Sequence, residues 1–289
     1  MSGPFRKTVS LISNTFSPGS ERNEILSIEL SFDGFSFAIL DARDFKYLVL
    51  ESYNFEEKLN TKTLADQVEL LVKEHPLLLG SFEKVNISWY HPHFTLVPVS
   101  LFLHAGKQEY HKFSGPVLPG HEYKTDKLNN LQAYGIYPIP DTLIKKLGFL
   151  FHGHKLRHSG TVLIESLLAD LKLGVSITDC FIHIRHGHFE LLLFEKFRLS
   201  YYHAFAISSI EDLMYYLFYV LEQFGLDASN MQAMLAGEIS LDSKNYKQLA
   251  TYFKKLSFMG RSDIYQYGPE FDEVPHHYFF NLLNLNSCG

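Results

Sequence analysis

Cysteine is almost missing from this 289-residue chain, which has only Cys180 and Cys288, far apart in sequence. Two distant thiols build no disulfide framework, so a reducing cytoplasm is the expected setting. Long hydrophobic runs are missing as well. The longest, such as residues 213–221, are less than half a membrane span, and residues 1–20 hold no apolar core of the kind a secretory signal needs, so neither membrane insertion nor export is expected. Basic blocks are lacking: Lys plus Arg total 26 against 32 for Asp plus Glu, a formal charge of -6, and nothing concentrates the positive potential that nucleic acid requires. No P-loop, Gly-x-Ser-x-Gly elbow or dinucleotide fingerprint occurs. What is present is a globular composition, 46% hydrophobic and 20% charged, which excludes a disordered tail or a coiled coil. The length suggests two compact units.

Residues 1–20 read as a polar, flexible leader. Behind it, Ile28, Leu30 and Phe32 alternate with Ser27, Glu29 and Ser31, the period of a half-buried strand. Asp33-Gly34 turns the chain into Phe35, Phe37 and Ile39, and a third strand at 47–53 completes a meander. A helix capped by Thr63 runs on Leu64, Val68 and Leu71 until His75-Pro76, and 84–90 alternates again as a fourth strand. Pro98 starts a helix at 98–105. Residues 111–148, broken by four prolines, read as an insertion with a short strand at 134–137 and a helix at 141–147. Residues 149–151 then supply a fifth strand, and Ser159 caps a helix striped by Ile164, Leu167, Leu168 and Leu171.

The pattern then restarts. Strands are expected at 177–184, 189–194 and 197–205, followed by a helix with a Ser208/Glu211 capping box, apolar on nearly every face and closed by Gly225. A strand at 231–236, a helix at 243–256, a strand at 263–267 and a helix at 276–285 finish the series. Each half thus reads strand, strand, strand, helix, strand, helix, strand, helix. A shift of 154 residues sets Ile28, Leu30, Phe35, Phe37 and Ile39 on Ile182, Ile184, Phe189, Leu191 and Leu193.

That order, present twice, resembles the ribonuclease H-like lobe of the actin, sugar-kinase and Hsp70 superfamily. The strings Phe94-Thr95-Leu96-Val97-Pro98-Val99-Ser100-Leu101-Phe102, Tyr137-Pro138-Ile139-Pro140 and His158-Ser159-Gly160-Thr161 are similar to those of a Bacteroidetes-type family of uncharacterised proteins with a degenerate actin-like ATPase fold. The resemblance implies an α/β protein of two ribonuclease H-like lobes, each a five-stranded mixed sheet flanked by helices. The first lobe would span 21–158 with its insertion at 111–148. The second would span 159–289 and include the crossing helices.

In active members of that superfamily the first hairpin of each lobe wraps phosphate, with glycine allowing close backbone approach and an aspartate orienting a hydrated divalent ion. Here Asp33, Gly34 and Ser36 resemble the first phosphate motif. Arg185-His186-Gly187-His188 keeps Gly187 but has no acid, and Gly237 stands alone where an adenosine motif carries two glycines. The resemblance therefore names Asp33, Gly34, Ser36, Gly187 and Gly237 as the residues that would hold ATP and Mg if nucleotide binds. Asp-Gly is also a common hairpin turn that needs no ligand. A two-metal nuclease is not expected, because the fourth strand ends at Tyr90-His91 without the required acid.

Fifteen histidines include the pairs His152/His154 and His186/His188, which could each present two imidazoles to a metal, with His158 and His183 nearby. No cysteine or acid stands beside them in ligand spacing, so structural roles are favoured and no metal is assigned. Cys180 reads as a buried small hydrophobe with no catalytic role. Phenylalanine and tyrosine number 25 and 17; most belong in the core, but Tyr215, Tyr216 and Tyr219 cannot all face inward on one helix. The expectation is a cytoplasmic, non-catalytic scaffold without a cofactor, acting through protein–protein contact, with a homodimer as one form of it. The alternative is an ATP-binding phosphotransferase or ATPase with its site between the lobes. A second alternative is a His-liganded metalloprotein.

Overall fold

The computed structural model describes residues 4–17, 23–56, 59–172 and 179–287. It opens with strands β1 (Phe5–Ile12), β2 (Glu24–Leu30), β3 (Gly34–Asp41) and β4 (Lys46–Phe55). Part of the expected leader is therefore structured: β1 pairs antiparallel with β4, with Phe5 opposite Phe55 and Leu11 opposite Leu50. Residues 1–3 and 18–20 of that leader lie outside the described residues. β2, β3 and β4 form the expected meander. Leu26, Ile28, Leu30, Phe35, Phe37 and Ile39 fill the main core on one face, while Ile25, Ala38, Leu40, Tyr47 and Leu50 are buried on the other. Each such side chain contributes roughly 1.5–3 kcal/mol by leaving water.

Next come α1 (Leu64–Glu74), β5 (Lys84–Trp89), β6 (Thr95–Pro98), α2 (Lys107–His111), β7 (His121–Leu128), β8 (Ala133–Pro140), α3 (Asp141–Leu150), β9 (Lys155–His158) and α4 (Ser159–Lys172). Thr63 stands at the N-cap of α1 without a side-chain bond; instead Asn60 Oδ1 accepts the amides of Lys62 and Thr63. The helix expected at 98–105 is a strand followed by short 3-10 turns, because Val97 and Pro98 pair with Tyr134 and Ala133. The insertion is thus larger than 111–148: it is a three-stranded antiparallel sheet in the order β6-β8-β7. Trp89 Nε1 donates to the Pro138 carbonyl at 3.0 Å and ties this sheet to the main one. Residues 149–151 end α3 rather than forming a strand, since Leu143 and Leu147 continue a helical stripe. The fifth strand is β9, parallel to β5. The first sheet runs β1-β4-β3-β2-β5-β9.

The second unit comprises β10 (Cys180–Arg185), β11 (His188–Glu195), β12 (Arg198–Ala206), α5 (Ile210–Gln223), β13 (Gln232–Gly237), α6 (Lys244–Tyr252) and β14 (Lys255–Phe258). Its sheet runs β12-β11-β10-β13-β14. Residues 177 and 178 of the expected first strand lie outside the described residues. The capping box sits one residue later than expected: Ser209 Oγ accepts the Asp212 amide, and Asp212 Oδ2 accepts the Ser209 amide. Gly225, at φ +65°, ends α5 as expected, with the Leu226 amide reaching back to the Leu221 carbonyl. The helix is not apolar all round, for Tyr215 and Tyr219 are exposed.

The duplication holds at the level of register. Ile28 faces Phe37 and Leu30 faces Phe35 in the first hairpin; their counterparts 154 residues on, Ile182 with Leu191 and Ile184 with Phe189, face each other in the second. α4 binds the two units: Leu163, Ile164, Leu167 and Leu168 share one core with Leu26 and Ile28 of the first sheet and Phe181 and Leu192 of the second. After β14 the chain returns. β15 (Gln266–Tyr267) adds to β4 of the first sheet, and α7 (Phe280–Asn284) packs on α4, β2 and β3. The expected strand at 263–267 therefore belongs to the other sheet, and β14 takes its place as the fifth strand of the second.

Candidate functional site

Between the two sheets lies a cavity of about 400 Å3. Of the residues singled out from sequence, Asp33, Gly34, Ser36 and Gly237 line it together; Gly187 is outside its lining, although the neighbouring His186 is part of it.

The turn between β2 and β3 is closed on itself. Ser31 Oγ accepts the amides of both Asp33 (3.3 Å) and Gly34 (3.1 Å), and the Ser31 amide donates to the Gly34 carbonyl. The donors that a phosphate-wrapping turn would offer are thus engaged within the turn. Ser36 Oγ pairs with Ser52 Oγ at 2.8 Å. A Cβ at Gly34 would lie 3.0 Å from the Tyr53 carbonyl oxygen, so a side chain there would press on β4. In the second hairpin His186-Gly187 forms a two-residue loop with Gly187 at φ +67°, and Arg185 faces His188. Gly237 has φ +85° and a Cβ would overlap the Ile184 carbonyl oxygen, which accepts the amide of Glu238 at 2.8 Å. Chain packing alone therefore demands glycine at 237.

The floor of the cleft holds residues the sequence reading missed. Arg185 Nη1 donates to Glu29 Oε1 at 2.6 Å and to Ser159 Oγ at 3.4 Å, and its guanidinium sits 4.2 Å from the Tyr90 ring centroid. Burial works against the Arg185 charge, but Glu29 and Glu190 outweigh it and keep the guanidinium protonated. Asn281, on α7, donates to Ser159 Oγ at 2.7 Å. Beside this group, Glu190 accepts from Tyr202 Oη at 2.6 Å and meets His183 Nδ1 at 2.8 Å. Burial alone would raise Glu190, yet His183 and Arg185 hold it down to about 2. The available signal was a charge, Glu29 or Arg185, on a strand whose neighbours are apolar.

His158-Ser159-Gly160-Thr161 is where the parts of the molecule join. Ser159 does not cap α4: its hydroxyl donates to Glu29. The cap is His158 itself, whose Nδ1 accepts the Gly160 amide at 3.0 Å, and the insertion holds this corner through Asp126 on β7, which accepts the His158 amide (2.7 Å), Thr161 Oγ1 (2.8 Å) and Tyr137 Oη (3.1 Å). Burial nevertheless raises Asp126 to about 6. The His158 ring stacks on Phe94 at 4.3 Å and bonds the His91 carbonyl, and burial depresses it to about 4.

The expected histidine pairs serve local contacts. His154 Nδ1 bonds the Phe151 carbonyl, and His188 Nδ1 bonds the His186 carbonyl. A different set gathers at the insertion: the His91 and His93 rings are 5.1 Å apart, and His93 and His111 5.5 Å. Burial, reinforced by these neighbours, depresses His91 to about 2. Among the described residues no group of three or more His, Cys, Asp or Glu has an arrangement that could hold a metal ion. Cys180 is fully buried, and burial pushes its thiol up. No helix among the described residues is long and apolar enough to cross a membrane.

Two facing mixed sheets, joined by a central helix and enclosing a cleft, define an actin-like ATPase fold. A crystal structure from Bacteroides thetaiotaomicron VPI-5482, a protein with actin-like ATPase fold and unknown function, is similar with a TM-score of 0.80 at 20% identity, covering 96% of this chain and 100% of that one. The PilM-PilN type IV pilus biogenesis complex is similar with a TM-score of 0.61 at 13% identity, covering 93% of this chain and 99% of the other. Residues 13–256 match the model of a family described as protein of unknown function (DUF3822), and the chain belongs to that family. No curated protein matches.

Proposed function

We propose that this chain is a cytoplasmic, non-catalytic actin-like scaffold that acts through protein–protein contact, as a homodimer or with another chain. The observation that carries the reading is the closed β2–β3 turn, where Ser31 Oγ holds the Asp33 and Gly34 amides that a bound phosphate would need. The cleft charge supports it. Among the described residues, three carboxylates, Glu29, Asp33 and Glu238, line the cavity beside a single guanidinium, Arg185, which Glu29 already neutralises. Two like unit charges about 6 Å apart at an effective dielectric near 20 repel by roughly 3 kcal/mol, so a triphosphate gains little there. A fold shared with one member of a PilM-PilN complex is compatible with such a role.

The second reading, an ATP-binding phosphotransferase or ATPase, is favoured by one fact: Asp33, Gly34, Ser36 and Gly237 line the same interlobe cavity. In that case Asp33 would orient a hydrated magnesium ion. Phosphate release from Mg-ATP separates the two. The scaffold reading expects no turnover above buffer; turnover abolished in Asp33→Ala would overturn it.

A further inference from the structure

The cleft carries a charge surplus that its own residues do not cancel. Glu29 and Arg185 neutralise each other, which leaves Asp33 and Glu238 as two negative charges without an opposite. Both carboxyl residues are exposed, and neither forms an ion pair with a described residue. They stand on different walls, Asp33 in the β2–β3 turn of the first sheet and Glu238 just after β13 of the second. The lining also holds Arg185, paired with Glu29, and the imidazoles of His183, paired with Glu190, and His186. Asn54, Ser36, Ser52 and Thr8 offer hydrogen-bond acceptors, and Tyr278 and Phe279 offer aromatic surface. A lysine or arginine side chain matches that combination, since its aliphatic stem lies on apolar surface while its head reaches carboxylates and aromatic faces.

We propose that the interlobe cleft receives a basic, lysine- or arginine-bearing segment of a partner protein. The proposal rests on the scaffold reading of the same cleft and names the chemistry of the partner. Charge complementarity selects this occupant: a nucleoside triphosphate or an acidic peptide would meet Asp33 and Glu238 as like charges. The cavity volume, about 400 Å3, accommodates one or two long side chains rather than a folded domain.

The test is fluorescence polarisation of labelled hexalysine and hexaglutamate with the full chain. The proposal expects saturable hexalysine binding, none for hexaglutamate, and at least tenfold weaker hexalysine binding in the double variant Asp33→Asn/Glu238→Gln. A control of equal charge change outside the cleft, Glu195→Gln/Glu222→Gln, should bind as the parent does. All four positions are exposed, and circular dichroism checks that the variants fold. Absence of saturable hexalysine binding, or equal weakening in both double variants, overturns the proposal. Displacement by spermidine at equal amine concentration overturns the assignment to a peptide. Failure of the scaffold reading looks different: Mg-ATP would then displace hexalysine or bind in its place.

Discussion

Arg185 on β10 and Glu29 on β2 meet at 2.6 Å across the gap between the two sheets, so one ion pair joins corresponding strands of the two halves. Both side chains are mostly buried; removing Glu29 leaves Arg185 with Glu190 as its remaining counter-charge, and removing Arg185 leaves Glu29 with the Ser159 hydroxyl. Glu29→Gln and Arg185→Met should therefore each lower stability by about 3 kcal/mol, and the double variant should lose less than either single change. Urea unfolding midpoints of the three proteins check this. Simple additivity would mean the pair contributes nothing to lobe association.

Gly237 and Gly187 both have positive φ, but only Gly237 is pressed against backbone. Gly237→Ala should cost on the order of 4 kcal/mol, whereas Gly187→Ala should cost about 1–2 kcal/mol, the price of a left-handed alanine alone. The contrast is read from thermal or urea unfolding. Equal, small losses would remove the packing explanation for Gly237.

Acid should loosen the root of the insertion. Burial and neighbouring imidazoles depress His91 to about 2, and burial depresses His158 to about 4. Histidines held below 6.5 contribute stability that is complete above that value and is lost as pH falls toward the folded value. Asp126 works the other way. Burial raises it from 3.8 to about 6, so its contribution is complete below 3.8 and is lost as pH rises through about 6. These three groups by themselves give a net loss of about 1.4 kcal/mol per pH unit between about pH 6 and 5; His93, His111, His203 and His277, also held down by burial, add to it, and Glu165 and Asp170, raised by burial, offset part of it. In Asp126→Asn its offset is gone, and the slope should steepen by about 1.4 kcal/mol per pH unit relative to the parent over the same window. Urea midpoints across that window measure both slopes; a flat profile in the parent protein contradicts the assignment.

The two meanders were legible because Ile28, Leu30, Phe35 and Phe37, and then Ile182, Ile184, Phe189 and Leu191, keep the alternation of a strand that buries one face. Residues 98–105 and 149–151 were misread for a physical reason. Pro98 suits a first helical turn as well as a sheet edge, and the apolar run 149–151 is too short for periodicity to separate strand from helix end. The returns of β15 and α7 to the first unit depend on contacts such as Tyr47 Oη to the Leu283 carbonyl, 236 residues away, which no local pattern carries. At the site, Asp33, Gly34, Ser36 and Gly237 were visible as motif remnants. Ser31, the acceptor that closes the turn, looked like an ordinary outward residue of an alternating strand, and Glu29 was hidden in the same row.

Isothermal titration of the full chain with Mg-ATP addresses the closed β2–β3 turn most directly. With the Asp33 and Gly34 amides held by Ser31 and Arg185, the one guanidinium among the described residues of the cleft lining, paired to Glu29, no saturable heat should appear up to millimolar nucleotide. Micromolar binding that disappears in Asp33→Ala would contradict the account.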